Sequence, residues 1–289
     1  MKIDPKIYDL FDQYCHSQMD RRTFLERAAA LSVIGGSGLT MAQALLPNYA
    51  RAQMISFTDK RIKARYVKYP SPGGSSGEMR GYLVHPAGNG PFPALLVMHE
   101  NRGLNPHIED VARRAAVEGF VALAPDGLYP IGGYPGNDDD GKVMQKKLDR
   151  AKLRIDMLNS AKFLKAHALS NGKLGATGFC WGGGATNYLA VEMGGDLTAA
   201  APYYGRAPQA GVEKIKAKMM IHNAENDPRI NKGMPAYEAA HKANNVDYVM
   251  YSYPGTRHAF HNNSTPRYQE EAAKLSWKRT MEFFKKHLS

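Results

Sequence analysis

Gly178-Phe179-Cys180-Trp181-Gly182-Gly183-Gly184 joins a stretch of strand character, Lys173 to Gly178, to one of helix character, Gly183 to Val191. A cysteine with glycine two positions to either side, at a strand-to-helix junction, is the pattern of a sharp turn. The central residue is forced into a strained conformation, and the glycines let the backbone pass close to itself. Such a turn presents the central side chain at the C-terminal edge of a sheet. The N–H groups and dipole of the following helix then point at the sulfur and favour a thiolate and, later, an oxyanion. Read alone, the heptad fits equally well a buried cysteine in an ordinary strand-to-helix turn.

Outward from this turn, short apolar runs alternate with segments of helical period. Strands are predicted at Ile62 to Tyr69, Met79 to His85, Ala94 to His99, Phe120 to Pro125, Leu197 to Pro202, Lys218 to His222 and Tyr248 to Tyr253. Helices are predicted from Pro106 to about Glu118, from Val143 to His167 as one long element, from Pro235 to Asn244 and from Arg267 to His287. Strands separated by helices imply one α/β domain, a mostly parallel central sheet with helices on both faces.

Two further residues complete a pattern with Cys180. Asp227 follows a later strand, 47 positions on, with Pro228 behind it disfavouring helix there. His258 follows the next strand, 31 positions further. Nucleophile, acid and histidine in that chain order is the order of the α/β-hydrolases. Glu225 and His261 are neighbours competing for the acid and base roles, and Asp227 and His258 are preferred.

With these residues in view, the chain resembles the dienelactone hydrolase family, the cysteine-based branch of the α/β-hydrolase fold. The resemblance covers about Arg65 to Leu288. It runs through Gly178-x-Cys180-x-Gly182-Gly183, the strand end Tyr203-Tyr204-Gly205, Asp227, His258-x-Phe260, and His99-Glu100-Asn101-Arg102-Gly103 at the end of a central strand. It implies an ester or lactone hydrolase of carboxymethylenebutenolidase type that needs no cofactor or metal. Cys180 would be the nucleophile, His258 the general base and then acid, Asp227 its orienting partner, and Glu100 the partner of the resting thiol. Backbone N–H groups of Trp181 and Asn101 would form the oxyanion hole, and Tyr204, Arg206 and Arg102 would contact the substrate. Relatives that open dienelactones hold the substrate carboxylate with arginines, one of them four residues after the catalytic histidine. Here that position is Asn262.

The N-terminus reads as an address. Arg21-Arg22-Thr23-Phe24-Leu25 is a twin-arginine pattern, Ala28 to Leu46 carries no charge, Pro47 supplies a helix stop, and Ala50-Arg51-Ala52 is a small-residue cleavage site. Residues 1–52 are thus expected to be an export signal read by the twin-arginine machinery, with 53–289 as the hydrolase domain delivered to the periplasm or beyond. An uncleaved signal would act as a membrane tether.

The 289 residues carry 38 Lys and Arg against 27 Asp and Glu, a net +11, and are 43% hydrophobic. That composition excludes a disordered chain, a collagen or a multi-span membrane protein. The two cysteines, Cys15 and Cys180, exclude a disulfide scaffold and a cysteine-rich zinc site. No Lys/Arg stripe interleaved with aromatics points to nucleic acid. Gly136-Asn-Asp-Asp-Asp-Gly141-Lys142-Val143 ends in Val where a phosphate loop needs a hydroxyl, and its aspartates are consecutive where a calcium loop alternates them. It reads as a solvated loop whose last Asp or Gly starts a helix. The expected substrate is a small ester or lactone.

Overall fold

The computed structural model describes residues 4–15, 19, 21–31, 38–44, 46 and 48–289. The uncharged run read as the core of an export signal falls partly on 32–37 and 45, which lie outside the described residues, as does Pro47.

The strands are β1 (Ile62–Ser71), β2 (Gly77–Pro86), β3 (Phe92–Met98), β4 (Val121–Pro125), β5 (Ser170–Phe179), β6 (Ala199–Tyr203), β7 (Lys218–Asn226) and β8 (Tyr248–Arg257). They form one sheet in the order β1-β2-β4-β3-β5-β6-β7-β8. Pairings of β1 with β2 and β2 with β4 are antiparallel, and those from β4 through β8 are parallel. The helices are α1 (Pro5–Cys15), α2 (Arg21–Ala30), α3 (Gly38–Ala44), α4 (Tyr49–Ala52), α5 (Pro106–Val117), α6 (Asp138–Lys147), α7 (Arg150–Lys165), α8 (Trp181–Met193), α9 (Pro228–Asn231), α10 (Met234–Ala243) and α11 (Glu270–Leu288).

Alternation along the central strand assigns the two faces. Ala94, Leu96 and Met98 of β3 pack with residues of α7, α8 and α10, whereas Leu95 and Val97 pack with α5 and α11. All five are fully buried, and each Leu or Val so placed stabilises the fold by about 1.5–3 kcal/mol relative to an exposed position. This is why the parallel strands read as continuous apolar runs.

Three expectations need correction. The predicted helix from Val143 to His167 is two helices. Asp149 accepts hydrogen bonds from the N–H groups of Ala151 and Lys152 and so starts α7 afresh after α6 has ended. The aspartate run is not a loop whose last Asp or Gly starts a helix: Asn137 caps α6, whose first turn is Asp138, Asp139 and Asp140, acidic groups favoured at the positive end of the helix dipole. Pro228 does not forbid helix. It is the first residue of α9, where a missing N–H costs nothing, and Asp227 is the cap, accepting from Ile230 N.

The N-terminal helices build a separate small core from Ile7, Phe11, Tyr14, Phe24, Ala28 and Ala42. Among the described residues no helix is long and apolar enough to cross a membrane. The stretch around the expected cleavage site is bonded into the domain. Asn48 N donates to Ser264 O (2.7 Å), Asn263 Nδ2 to Ala52 O (2.7 Å), and the N–H groups of Met54 and Ile55 to Asp110 Oδ1 (3.1 and 2.8 Å).

Candidate active site

Cys180 stands between β5 and α8 with φ 57° and ψ −111°, a region costing about 1–3 kcal/mol for a residue with a Cβ. Surrounding packing fixes it there. A Cβ on Gly178 would lie 2.4 Å from Gly182 O, and one on Gly182 would lie 2.4 Å from Met98 O. Only glycine therefore lets the turn sit against the end of β3. Cys180 N donates to Tyr203 O and Cys180 O accepts from Gly184 N, each at 3.1 Å.

In-register pairing of Phe179 with Tyr203 and of Tyr203 with His222 brings the C-terminal ends of β5, β6 and β7 to one edge. Beyond β7, Asp227 Oδ2 lies 2.5 Å from His258 Nδ1, and both side chains are about 95% buried. The Nη2 of Arg229 is 3.4 Å from the same nitrogen. Because Nδ1–H points to the carboxylate, Arg229 acts on the pair as a charge. Burial works against ionisation of Asp227, but the His258 hydrogen bond and the charges of His258 and Arg229 outweigh it and hold the carboxyl below its usual range.

The competitors lie elsewhere. Glu225 is exposed and accepts from Gly255 N (2.8 Å). His261 stacks on Phe179 (centroids 4.9 Å apart), and burial drives its imidazole far toward the neutral form. His222 spans Tyr253 OH and Thr280 Oγ1 in the core, and burial lowers its pKa to about 3. His99 bridges Glu100 O and Gly127 N and stacks on Trp181.

Glu100 is 6% exposed and accepts a 3.0 Å hydrogen bond from Asn262 Nδ2. Burial raises its pKa, opposed by the charges of Arg102 and Arg267 and by Asn262. The thiol of Cys180 is pushed up to about 12, first by burial and then by the negative charge of Glu100. Arg229, the Trp181 N–H directed at the sulfur, and Arg102 only partly offset this. Burial and Glu100 together therefore outweigh the helix N-terminus and favour the thiol over the thiolate.

Of the residues expected to meet substrate, Tyr204 is fully buried, at φ 36°, with its ring 4.9 Å from that of His258. Its hydroxyl is buried with no hydrogen-bond partner, and it interacts electrostatically with Glu100 and Cys180. Arg102 is buried in an ion pair with Asp138 (2.7 Å), whose other oxygen accepts from Tyr49 OH (2.6 Å). Arg206 is exposed, its carbonyl accepting from Asn187 Nδ2. Asn101 is half-buried directly after Glu100. Two guanidiniums at the site, Arg229 and Arg267, escaped the sequence reading. Arg229 had a signal in its place two residues after Asp227; Arg267 had none. Among the described residues no three His, Cys, Asp or Glu gather as metal ligands would.

Known proteins agree with this architecture. A model of the dienelactone hydrolase family matches residues 79–288, and a model described as YqhI-like matches residues 1–31. The chain is 58% identical over 114 residues to an inferred hydrolase fragment, YghX, of Escherichia coli, covering 39% of this chain and 97% of that one. It is 31% identical over 258 residues to an inferred carboxymethylenebutenolidase of Saccharolobus solfataricus, covering 76% and 97%. A crystal structure of an inferred dienelactone hydrolase from Klebsiella pneumoniae superposes with a TM-score of 0.67 at 26% identity, covering 77% of this chain and all of that one. With its eight-stranded α/β-hydrolase sheet and a family match spanning that sheet from β2 onward, this chain belongs to the dienelactone hydrolase family.

Proposed function

We propose that the protein hydrolyses a carboxylic ester or lactone of carboxymethylenebutenolidase type through a Cys180–His258–Asp227 triad and a thioester acyl-enzyme. The observation that carries this reading is the buried 2.5 Å contact between His258 Nδ1 and Asp227 Oδ2, at the same sheet edge as a cysteine held at positive φ. With Nδ1–H directed to the carboxylate, the lone pair of Nε2 is the base.

In this mechanism the thiol proton passes to Nε2 of His258 as substrate binds, its release helped by Glu100, and Sγ attacks the carbonyl carbon. The C=O π electrons move to oxygen, and the oxyanion is held by the backbone N–H groups of Trp181 and Asn101, a pair of donors of the kind worth about 10²–10³-fold each. Collapse breaks the C–O bond, and protonated His258 gives its proton to the leaving alkoxide, which in a lactone stays tethered to the acyl group. His258 then takes a proton from water, the hydroxide attacks the thioester, and the acid departs as sulfur regains its proton. Tyr204, whose buried hydroxyl has no other partner, serves as a hydrogen-bond donor to substrate, with Arg102 and Arg206 as further contacts.

The test is intact-protein mass after brief exposure to p-nitrophenyl acetate, together with steady-state hydrolysis, for wild type and Cys180→Ala. An acetyl adduct or turnover that disappears in the variant supports the reading. A folded wild type that neither acylates nor turns over across several acyl sizes rejects it, and favours a non-catalytic binding subunit.

Export is a second proposal, resting on Arg21 and Arg22, which are both exposed at the start of α2. The twin-arginine machinery would be the partner, and the segment a tether where it is not cut. Cell fractionation of wild type against Arg21→Lys/Arg22→Lys tests it: a periplasmic pool that survives the double change ends the proposal.

A further inference from the structure

The N-terminal helices dock on two segments that flank the site. One is the end of β8 and the chain that follows it: Arg257 pairs with Asp9 (3.3 Å) and covers the Tyr8 ring (5.1 Å), Tyr8 OH donates to Pro266 O (3.4 Å), and the Arg267 guanidinium lies 4.8 Å over the ring of Phe11. The other is the start of α6: Lys142 Nζ donates to Tyr14 O (2.8 Å), Tyr14 OH donates to Asp139, and Arg21 pairs with Asp139 (3.5 Å). Phe11 is fully buried and Arg267 is 8% exposed. Arg267 acts electrostatically on Glu100 and on Tyr204, both of which interact electrostatically with the thiol. Asn262, four residues after His258, donates to the Glu100 carboxylate.

We propose that the N-terminal bundle is a working wall of the active site: its Phe11 seats Arg267, a positioning residue whose charge offsets Glu100 beside Cys180. A buried guanidinium over an aromatic face is attracted by the ring quadrupole, the more strongly where both are desolvated. The charged and titratable groups around the Glu100–Cys180 pair are Arg102, with Asp138 behind it, Arg267, Arg229, Tyr204 and the Asp227–His258 couple; Asn262 and the Trp181 N–H add dipoles. Glu100 and Cys180 share one electrostatic environment, so withdrawing a nearby cation raises the pH of both proton losses.

This inference rests on Cys180 and Glu100 being the reacting pair. Its test reads the thiol alone and so fails separately from ester hydrolysis. The probe is iodoacetamide at pH 9, with modification followed at the Cys180 peptide by mass, in the full chain. Arg267→Gln is expected to slow alkylation about threefold to tenfold, Arg267→Lys to restore most of the rate, and Phe11→Leu to slow it at least twofold. Phe11→Tyr, which keeps the ring, and Arg21→Gln, which removes a docking contact remote from Glu100, are expected to stay near wild type. The sign separates positioning from mere support, because loosened packing exposes the thiol and speeds alkylation. Faster or unchanged alkylation in Phe11→Leu overturns the proposal, and that comparison stands even where Arg267→Gln does not fold.

Discussion

Asn262 Nδ2 donates to Glu100 Oε2 at 3.0 Å, joining two buried side chains 162 positions apart. Burial makes ionised Glu100 costly, and this amide is one of the groups that reduces the cost. Asn262→Leu should therefore destabilise the fold by about 1–3 kcal/mol at pH 8. The raised folded-state pKa means that ionisation of Glu100 costs stability above that pKa, and that the cost vanishes below the unfolded value near ~4.3. The loss should shrink as pH falls toward 5. Urea midpoints at pH 8 and pH 5 check this, and equal losses at both would show that the amide supports packing rather than the carboxylate.

Glu100→Gln tests what holds the sulfur as a thiol. The substitution keeps the shape and removes the charge that is the second cause of the high Cys180 pKa. Where the rate follows the thiolate fraction, iodoacetamide should modify Cys180 at least tenfold faster at pH 9, since one pKa unit is a factor of about ten. A rate within twofold of wild type would assign the shift to burial alone.

The two glycines of the turn predict opposite outcomes. A Cβ on Gly182 meets Met98 O at 2.4 Å and His99 O at 2.5 Å, whereas the nearest atom to one on Gly184 is Arg206 N at 3.6 Å. Gly182→Ala should cost about 1–3 kcal/mol or more, because strand backbone must move. Gly184→Ala should be neutral or stabilising by up to about 1 kcal/mol, as alanine favours helix. Chemical denaturation of the two variants side by side decides it, and similar midpoints would contradict the packing argument.

Tyr49 probes the boundary read at residue 52. Its hydroxyl donates to Asp138 Oδ1 (2.6 Å) and accepts from Asn105 Nδ2 (2.9 Å), and Asp138 holds Arg102. Tyr49→Phe leaves that carboxylate short of a donor and should lower stability by about 1.5–3 kcal/mol. An unchanged unfolding midpoint would mean that the Tyr49 hydroxyl lends the domain nothing.

The pattern around Cys180 was legible because a positive-φ turn between strand and helix restricts residue types locally, and because Asp227 and His258 each follow their own strand. What escaped was long-range or capped by a single side chain. The break between α6 and α7 turns on Asp149, which ordinary helical periodicity passes over. Arg267 acquires meaning only through Phe11, 256 positions earlier in the chain. The balance at the sulfur is not legible locally, because dipole and burial oppose one another and burial is set by residues distant in sequence.

Docking of the first helices against Arg257, Ser264 and Pro266 has a consequence for synthesis. At about 5–20 residues per second, α1 and α2 leave the ribosome on the order of ten seconds or more before the segment that receives them exists. Through that interval the face of α1 that carries Phe11 lacks the Arg267 on which it finally rests. Its seating is thus among the last events of assembly, and it signals that the whole sheet has been made.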